Sequence, residues 1–427
     1  MKICVFGLWH LGTVVSNCLA KIGHDVAGLD FDKKVIAGLN EGKAPLFEPG
    51  LDYLLKETLK NGKIRFTSEK NAVKECEVLW IAFDTPVDAD DNANVEFVEK
   101  QILSVIKYLK NDSKVVISSQ VPAGFTRKLK NKYAKLFPGT KVYFACSPEN
   151  LRLGKAIKVF MEPDRIIIGT EKEEKIKFEE LFLSISSKLE WMGIESAEMT
   201  KHAINAFLAA EVSFANELGT ICEQIGADMK EVERGLKTEE RIGPKAYLKA
   251  GTAFSGGTLA RDIRFLSVLG DKYKLPLHLI RSVKKSNDEH KNWIQNKCKE
   301  CLGGLKNKKI AILGLTYKPG TDTLRRSLSV ELCKELKKAG AVILAFDPAV
   351  KKLPADLSKI IKLCGDIKET VKSADCVVIS TEWPFFREMS SGNTDIIASK
   401  HVIDANGFMK ELFKKYNKMK YYSVGGK

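Results

Sequence analysis

Two stretches of the chain open in the same way. MKICVFGLWHLG (1–12) and KNKKIAILGLTYKPGTD (306–322) each run from a charged start into a short β-branched strand and then a Gly-containing turn. A buried parallel strand that feeds a turn and then a helix aims backbone N–H groups and a helix N-terminus at phosphate. Two such units, separated by a long helical-looking middle, predict a chain that holds two phosphate-bearing molecules facing each other.

At 427 residues the chain exceeds what one core usually supports, so two or three domains are expected. No run of about twenty apolar residues occurs, and the first residues enter a strand rather than a signal peptide, which predicts a cytoplasmic protein without a membrane partner. The ten cysteines are scattered, and Cys4, Cys18, Cys76 and Cys376 sit in or beside apolar stretches as reduced packing thiols. Cys298 and Cys301 form a lone CxxC, with no second pair or His cluster to complete a metal site. The net charge of +15 is spread along the chain and interleaved with acids, as in KEEKIKFEE at 172–180. That pattern describes a solvated basic surface that attracts an anionic ligand, not a nucleic-acid interface.

ICVFG reads as the first strand, HLGTVVSNCLAKIG as a helix closed by Gly23, and HDVAGLD as the second strand, ending in Asp30. An acid at that place accepts hydrogen bonds from an adenosine ribose and repels a 2′-phosphate, so NAD is expected over NADP, although Lys33 and Lys34 lie nearby. Gly7 and Gly12 occupy the first and third positions of the dinucleotide fingerprint. Trp9 occupies the second, where glycine normally lets the backbone approach the pyrophosphate.

CEVLWIAFDTP (76–86), SKVVISSQVPAG (113–124) and YFACSPEN (143–150) are further strands whose polar ends converge where a doubly wound sheet binds ligands. Thr85, Ser119, Gln120 and Glu149 are therefore candidate site residues. The alternative for Thr85 and Ser119 is that they cap the next helices. From about Ser196 to Gly226 the sequence predicts one long helix, on which Lys201 and Asn205 share a face. A Lys with an Asn one turn away suits general acid/base work beside an alcohol. KKIAILGL, AVILAFDP, DCVVISTEW (375–383) and KHVIDANG (400–407) supply a second, smaller sheet, with the helix SLSVELCKELKKAG between the first two strands. KKYNKMKYYSVGGK closes the chain as a basic tail.

FEPGL (47–51), SPENLRLG (147–154), the Lys201/Asn205 helix with SFANE (213–217), RIGP (241–244), GTAFSGGTLARD (251–262) and LTYKPGTDTLRRS (315–327) together resemble the nucleotide-sugar 6-dehydrogenase family, in order and over essentially the whole chain. UDP-glucose and UDP-N-acetylmannosamine dehydrogenases are familiar members. The resemblance implies an α/β chain of two Rossmann-like doubly wound domains joined by a long central helix. It assigns 1–190 to NAD, 191–295 to a helical dimerisation and substrate domain, and 296–427 to UDP. The implied reaction is a four-electron oxidation of a sugar C6 alcohol to a carboxylate by two NAD molecules in turn, in a homodimer serving polysaccharide biosynthesis.

By position, the resemblance makes Glu149 the carboxylate that assists hydrolysis, and Lys201, Asn205 and Asp262 the group that handles the C6 oxygen and its proton. Phe254 and the Gly256/Gly257 loop would line the sugar, Tyr317 and Lys318 would contact the uridine diphosphate, Leu151 and Tyr247 would bind the substrate, and Arg241 would reach it across a subunit boundary. Arg261 and Arg325 would face the cofactor.

The departures concern the chemistry. The family's loop reads roughly GxGFGGSCFPKD, and the position of its nucleophilic Cys is Thr258 here. Arg261 replaces a Lys, Asn406 an Arg, Leu153 an acid and Gln120 a Thr. A Thr hydroxyl is a poor nucleophile without a dedicated base. The first hydride transfer needs no covalent adduct. The second requires a tetrahedral adduct, which could be the aldehyde hydrate made by a water that Glu149 activates, with Thr258 only a hydrogen-bond partner. Otherwise the reaction stops at the aldehyde, or the chain binds nucleotide sugar without catalysis. Cys146, at a strand end, is the best substitute thiol, although a buried core thiol is the expected role for it, and Cys222 is expected to pack.

Overall fold

The computed structural model describes residues 1–88, 92–255, 257–416 and 419–426. It divides into two compact units, Met1–Ile204 and Asn205–Lys427, and the boundary falls inside one helix, Ile194–Ile225.

The first unit is built on eight strands: β1 (Lys2–Phe6), β2 (Asp25–Leu29), β3 (Ile64–Thr67), β4 (Val78–Ile81), β5 (Lys114–Ile117), β6 (Tyr143–Cys146), β7 (Ile166–Gly169) and β8 (Leu189–Met192). Their order is β3-β2-β1-β4-β5-β6-β7-β8, and the first six are parallel. This is the doubly wound order with the strand order reversing beside β1, where such folds bind dinucleotides. β7 pairs antiparallel with β6 and β8 parallel with β7, so the last two strands run opposite to the first six. Alternation along β1 explains why its four residues after the exposed Lys2 are all apolar. Cys4 and Phe6 enter one core, Ile3 and Val5 the core on the opposite face. The helix His10–Ile22 follows β1 and ends at Gly23, which takes the left-handed conformation at φ 117°.

The second unit repeats the plan with β9 (Lys309–Leu313), β10 (Val342–Phe346), β11 (Ile361–Leu363), β12 (Cys376–Ile379), β13 (His401–Ile403) and β14 (Lys420–Tyr422). All pair in parallel in the order β11-β10-β9-β12-β13-β14, which is the same permutation. Again the central strand splits its side chains, Ile310 and Ile312 to one core, Ala311 and Leu313 to the other. Within the closing basic segment, Lys420–Tyr422 form β14 beside β13. After β14 the chain turns so that Val424 packs with Ala215 and Cys222 of the long helix. Helices Thr258–Lys272 and His278–His290 complete this unit through a core of Ala206, Ala209, Ile263, Leu266 and Val283.

Candidate active site

In the first unit the turn after β1 is shaped by two glycines. Gly7 sits at φ 96°, and a Cβ there would stand 2.8 Å from the Phe83 ring. A Cβ on Gly12 would fall 1.7 Å from the Gly7 carbonyl oxygen, so only glycine lets the helix begin this close to the strand. Trp9 has φ −80°, which any residue adopts, and its side chain is 46% exposed. The second fingerprint position thus needs no glycine here for backbone reasons. Asp30 takes the Leu8 N–H on Oδ2 at 2.7 Å and the Asp32 N–H on Oδ1 at 2.9 Å. Its carboxylate is oriented by the turn and keeps lone pairs for a ribose hydroxyl, while Lys33 and Lys34 are exposed.

Thr85 donates to the Gln120 carbonyl at 2.7 Å and so braces the end of β5 against the end of β4. The helices that follow β4 and β5 have other caps. Asn94 accepts from the Phe97 N–H, and the Glu198 carboxylate accepts from the Gly124 and Thr126 N–H groups. Ser119 is 4% exposed and its Oγ has no hydrogen-bond partner among the described residues. An orphaned buried hydroxyl in a dinucleotide fold is the mark of a place meant for a ligand group. Together with the glycine cradle and Asp30, it fits NAD.

Ser119 lies in a small cavity with Gln120, Cys146, Glu149, Glu198 and Lys201. Lys201 is buried on the long helix, its Nζ 3.4 Å from Asn150 Oδ1 and 4.0 Å from Glu149 Oε1. The other Glu149 oxygen accepts the Leu151 N–H. The Leu151 side chain packs into the apolar cluster of Val14, Leu51 and Ala156. Cys146 is buried at the end of β6, and burial pushes its thiol well above its ordinary range, which disfavours the thiolate a substitute nucleophile needs.

Two functional neighbours were not legible in the sequence. Glu198, one turn before Lys201, is a buried carboxylate whose pKa is raised by burial. His202 bonds the Val121 carbonyl at 3.0 Å. Both fix the long helix to the loop that carries Ser119 and Gln120. Their spacing on the helix was the available signal, masked by residue types that also suit an exposed face.

In the second unit Asn205 donates its Nδ2–H to Asp262 Oδ2, and both are buried, Asp262 completely. A cavity of about 670 Å³ is lined by Tyr247, Phe254, Thr258, Tyr317, Lys318 and Asn406, among others. Thr258 is exposed as the first residue of its helix, after Gly257 at φ 112°. Gly256 lies outside the described residues.

The wall of this cavity is a loop held by side-chain amides from three elements. Gly251 N–H donates to Asn216 Oδ1, Thr252 N–H to Asn406 Oδ1 and Phe254 N–H to Asn287 Oδ1, each at 2.8 Å. His290 Nε2 donates to the Gly251 carbonyl at 2.8 Å, with its pKa lowered by burial. Asn406, standing where the resemblance expects an Arg, is thereby a loop clamp.

Of the remaining candidates, Tyr247 donates its N–H to Glu211 at 3.2 Å, and Tyr317 N–H bonds the Thr323 carbonyl at 2.9 Å. Arg241 is exposed and paired with Glu239 at 2.7 Å. Arg325 is exposed and Arg261 half-buried. Cys222 packs in the core with Ala215 and Met229.

Comparison with known proteins gives one answer along the chain. Residues 1–186 match the NAD binding domain of the UDP-glucose/GDP-mannose dehydrogenase family, 195–289 its central domain and 311–411 its UDP binding domain. A UDP-glucose 6-dehydrogenase of Bacillus subtilis is 33% identical over 432 residues, covering 100% of this chain and 98% of that protein. One from Rhizobium meliloti is 33% identical over 399 residues, 91% of each. Among solved structures, a UDP-glucose dehydrogenase from Pyrobaculum islandicum superposes with a TM-score of 0.90 at 29% identity, over 100% of this chain and 98% of that one. A UDP-D-ManNAc dehydrogenase from Pyrococcus horikoshii gives 0.88 at 26% identity, over 100% and 99%.

Proposed function

The chain belongs to the UDP-glucose/GDP-mannose dehydrogenase family and is an NAD-dependent UDP-sugar dehydrogenase, and from that premise we propose that it carries C6 of UDP-glucose to the uronic acid without a covalent sulfur intermediate. The observation that carries this reading is the pairing of a fully buried Asp262 with Asn205, in a chain where the resemblance sets Thr258 at the nucleophile's position.

NAD, when bound, supplies the hydride acceptor, and Gly7, Gly12, Asp30, Thr85, Ser119, Gln120, Arg261 and Arg325 are the residues that would hold it. Lys201, Asn205 and Asp262 position the C6 hydroxyl and take its proton as the first hydride leaves. Glu149 then removes a proton from a water that adds to the aldehyde carbon, forming the hydrate, and Thr258 offers a hydrogen bond to the new oxygen. Loss of a second hydride from that carbon gives the acid. The sum is alcohol plus water plus two NAD to carboxylate, two NADH and three protons. Leu151, Tyr247, Phe254 and the 256–257 loop are assigned to the sugar, Tyr317 and Lys318 to the diphosphate and uridine, and Arg241 to a substrate held by a partner subunit.

Thr258 also favours a second reading, release of the C6 aldehyde after one oxidation, because a hydroxyl does not capture the aldehyde as a thiolate does. NADH formed per UDP-glucose consumed separates the readings. Two equivalents support the hydrate route and one the aldehyde. None across a panel of UDP-sugars would leave a silent binding protein.

We assign residues 1–190 to NAD, 191–295 to dimerisation and substrate, and 296–427 to UDP. The homodimer is supported by an apolar row on the long helix. Phe207, Phe214, Ile221 and Ile225 are 50–72% exposed at spacings that keep one face. Ten free thiols and no disulfide support a reducing, cytoplasmic setting. A UDP-uronic acid is an activated glycosyl donor, which places the enzyme in polysaccharide biosynthesis.

A further inference from the structure

Glu48, within FEPGL, is a buried carboxylate engaged on both oxygens, and no step of the reaction uses it. Its Oε2 lies 2.9 Å from His10 Nε2 and accepts the Gly154 N–H at 2.7 Å, while Oε1 accepts the Ala156 N–H at 2.9 Å. The Glu48 side chain is 1% exposed and that of His10 13%. A carboxylate only accepts, so His10 Nε2 carries the hydrogen and donates. His10 is the first residue of the helix whose N-terminus meets the cofactor pyrophosphate in this fold. Gly154 and Ala156 close the segment that begins with Glu149, Asn150 and Leu151.

One carboxylate therefore stitches the cofactor turn to the far end of the segment that carries Glu149. We propose that His10 and Glu48 are positioning residues that couple NAD binding at the turn to the order of loop 149–156. A ligand that fixes the helix start fixes the His10 ring, holds the carboxylate, and so holds the two amides from which the Glu149 loop hangs. By linkage, an ordered loop returns the same factor to NAD affinity. The proposal rests on the turn being the NAD site, and its test needs no turnover.

The experiment is amide hydrogen exchange on the full-length protein, with and without NAD alone, in wild type, His10→Leu, His10→Gln and Glu48→Gln. In the wild type NAD slows exchange at Gly154 and Ala156. His10→Leu removes the donor, and exchange of these amides in the NAD-bound protein rises at least about tenfold, as expected when a hydrogen bond to a buried carboxylate is lost. His10→Gln keeps a donor and restores at least half of the protection. Glu48→Gln abolishes the NAD effect while circular dichroism shows the fold intact. NAD-dependent protection that survives His10→Leu would overturn the coupling, as would His10→Gln behaving like His10→Leu. A purely structural role predicts equal loss with and without NAD. Failure of the dehydrogenase reading would appear separately, as bound NAD without UDP-sugar turnover.

Discussion

Trp383 donates its indole N–H to Asp347 at 3.1 Å, and that carboxylate also accepts the Leu315 and Thr316 N–H groups at 2.7 and 3.0 Å. Asp347 follows β10 as Asp30 follows β2, and each takes the N–H of the residue after a left-handed glycine, Gly314 or Gly7. The two halves share a device but differ in its availability. Asp347 is buried and engaged by an indole, whereas Asp30 is half-buried and takes the Leu8 and Asp32 backbone N–H groups, with no side-chain hydrogen bond among the described residues.

Asp30 should therefore set cofactor preference. Asp30→Ser is expected to weaken NAD by about 1.5–3 kcal/mol, the scale of a hydrogen bond to a charged group, and to narrow discrimination against NADP. Titrating both cofactors into each protein checks it. Unchanged NAD affinity would move the ribose elsewhere.

Thr258→Cys should raise the rate of acid formation by at least about tenfold, or about 1.4 kcal/mol of barrier, and make the enzyme sensitive to iodoacetamide. Wild-type activity should resist the reagent, because nine of the ten thiols are buried and Cys301 is half-buried. A wild type that alkylation silences would point to a thiol in the mechanism.

Asn406→Leu should raise KM for the UDP-sugar with a smaller effect on kcat. It strands the Thr252 N–H, at a cost of about 1–3 kcal/mol for an unmade bond. Asn406→Asp keeps the acceptor and should recover most of the loss in steady-state kinetics.

Glu198 gives the stability a pH signature. Burial holds its carboxyl above the ordinary range, so the folded chain favours the protonated form. The resulting stability is complete below about pH 4.3, the ordinary Glu value, and is lost as pH rises through the raised value. Glu198→Gln cannot ionise. Thermal melts from pH 4 to 8 should show it gaining on the wild type as pH increases, and the opposite trend would mean that the Gly124 and Thr126 amides outweigh burial.

Phe214→Asp should convert a dimer to monomer in sedimentation experiments, since a charge replaces an exposed ring in the middle of the apolar row. A wild type that is already monomeric at micromolar concentration removes the assignment of that face.

The central strands were legible because buried parallel strands read as apolar runs, and the glycine turns because Gly7 and Gly12 stand where a Cβ has no room. The edge strands were not. IRFT in β3 and KYY in β14 are short and mixed, and their pairing comes from neighbours distant in sequence. The candidate site follows the same division. Glu149, Lys201 and Asn205 announced themselves through strand ends and helical spacing. Glu48, Glu198, Asn287 and His290 act by holding backbone amides or carbonyls far along the chain, and only the fold reveals which ones.

Two sheets with one permutation invite exchange of strands during folding, since β1 and β9 offer much the same edge. The chain order protects against this. β8 ends at Met192 and β9 begins at Lys309, so the first sheet is fully synthesised before any strand of the second exists. At translation rates of about 5–20 residues per second the intervening segment takes on the order of ten seconds to emerge. That delay is long for closing a domain of this kind, and the newcomer meets a sheet whose central strands are already paired on both sides.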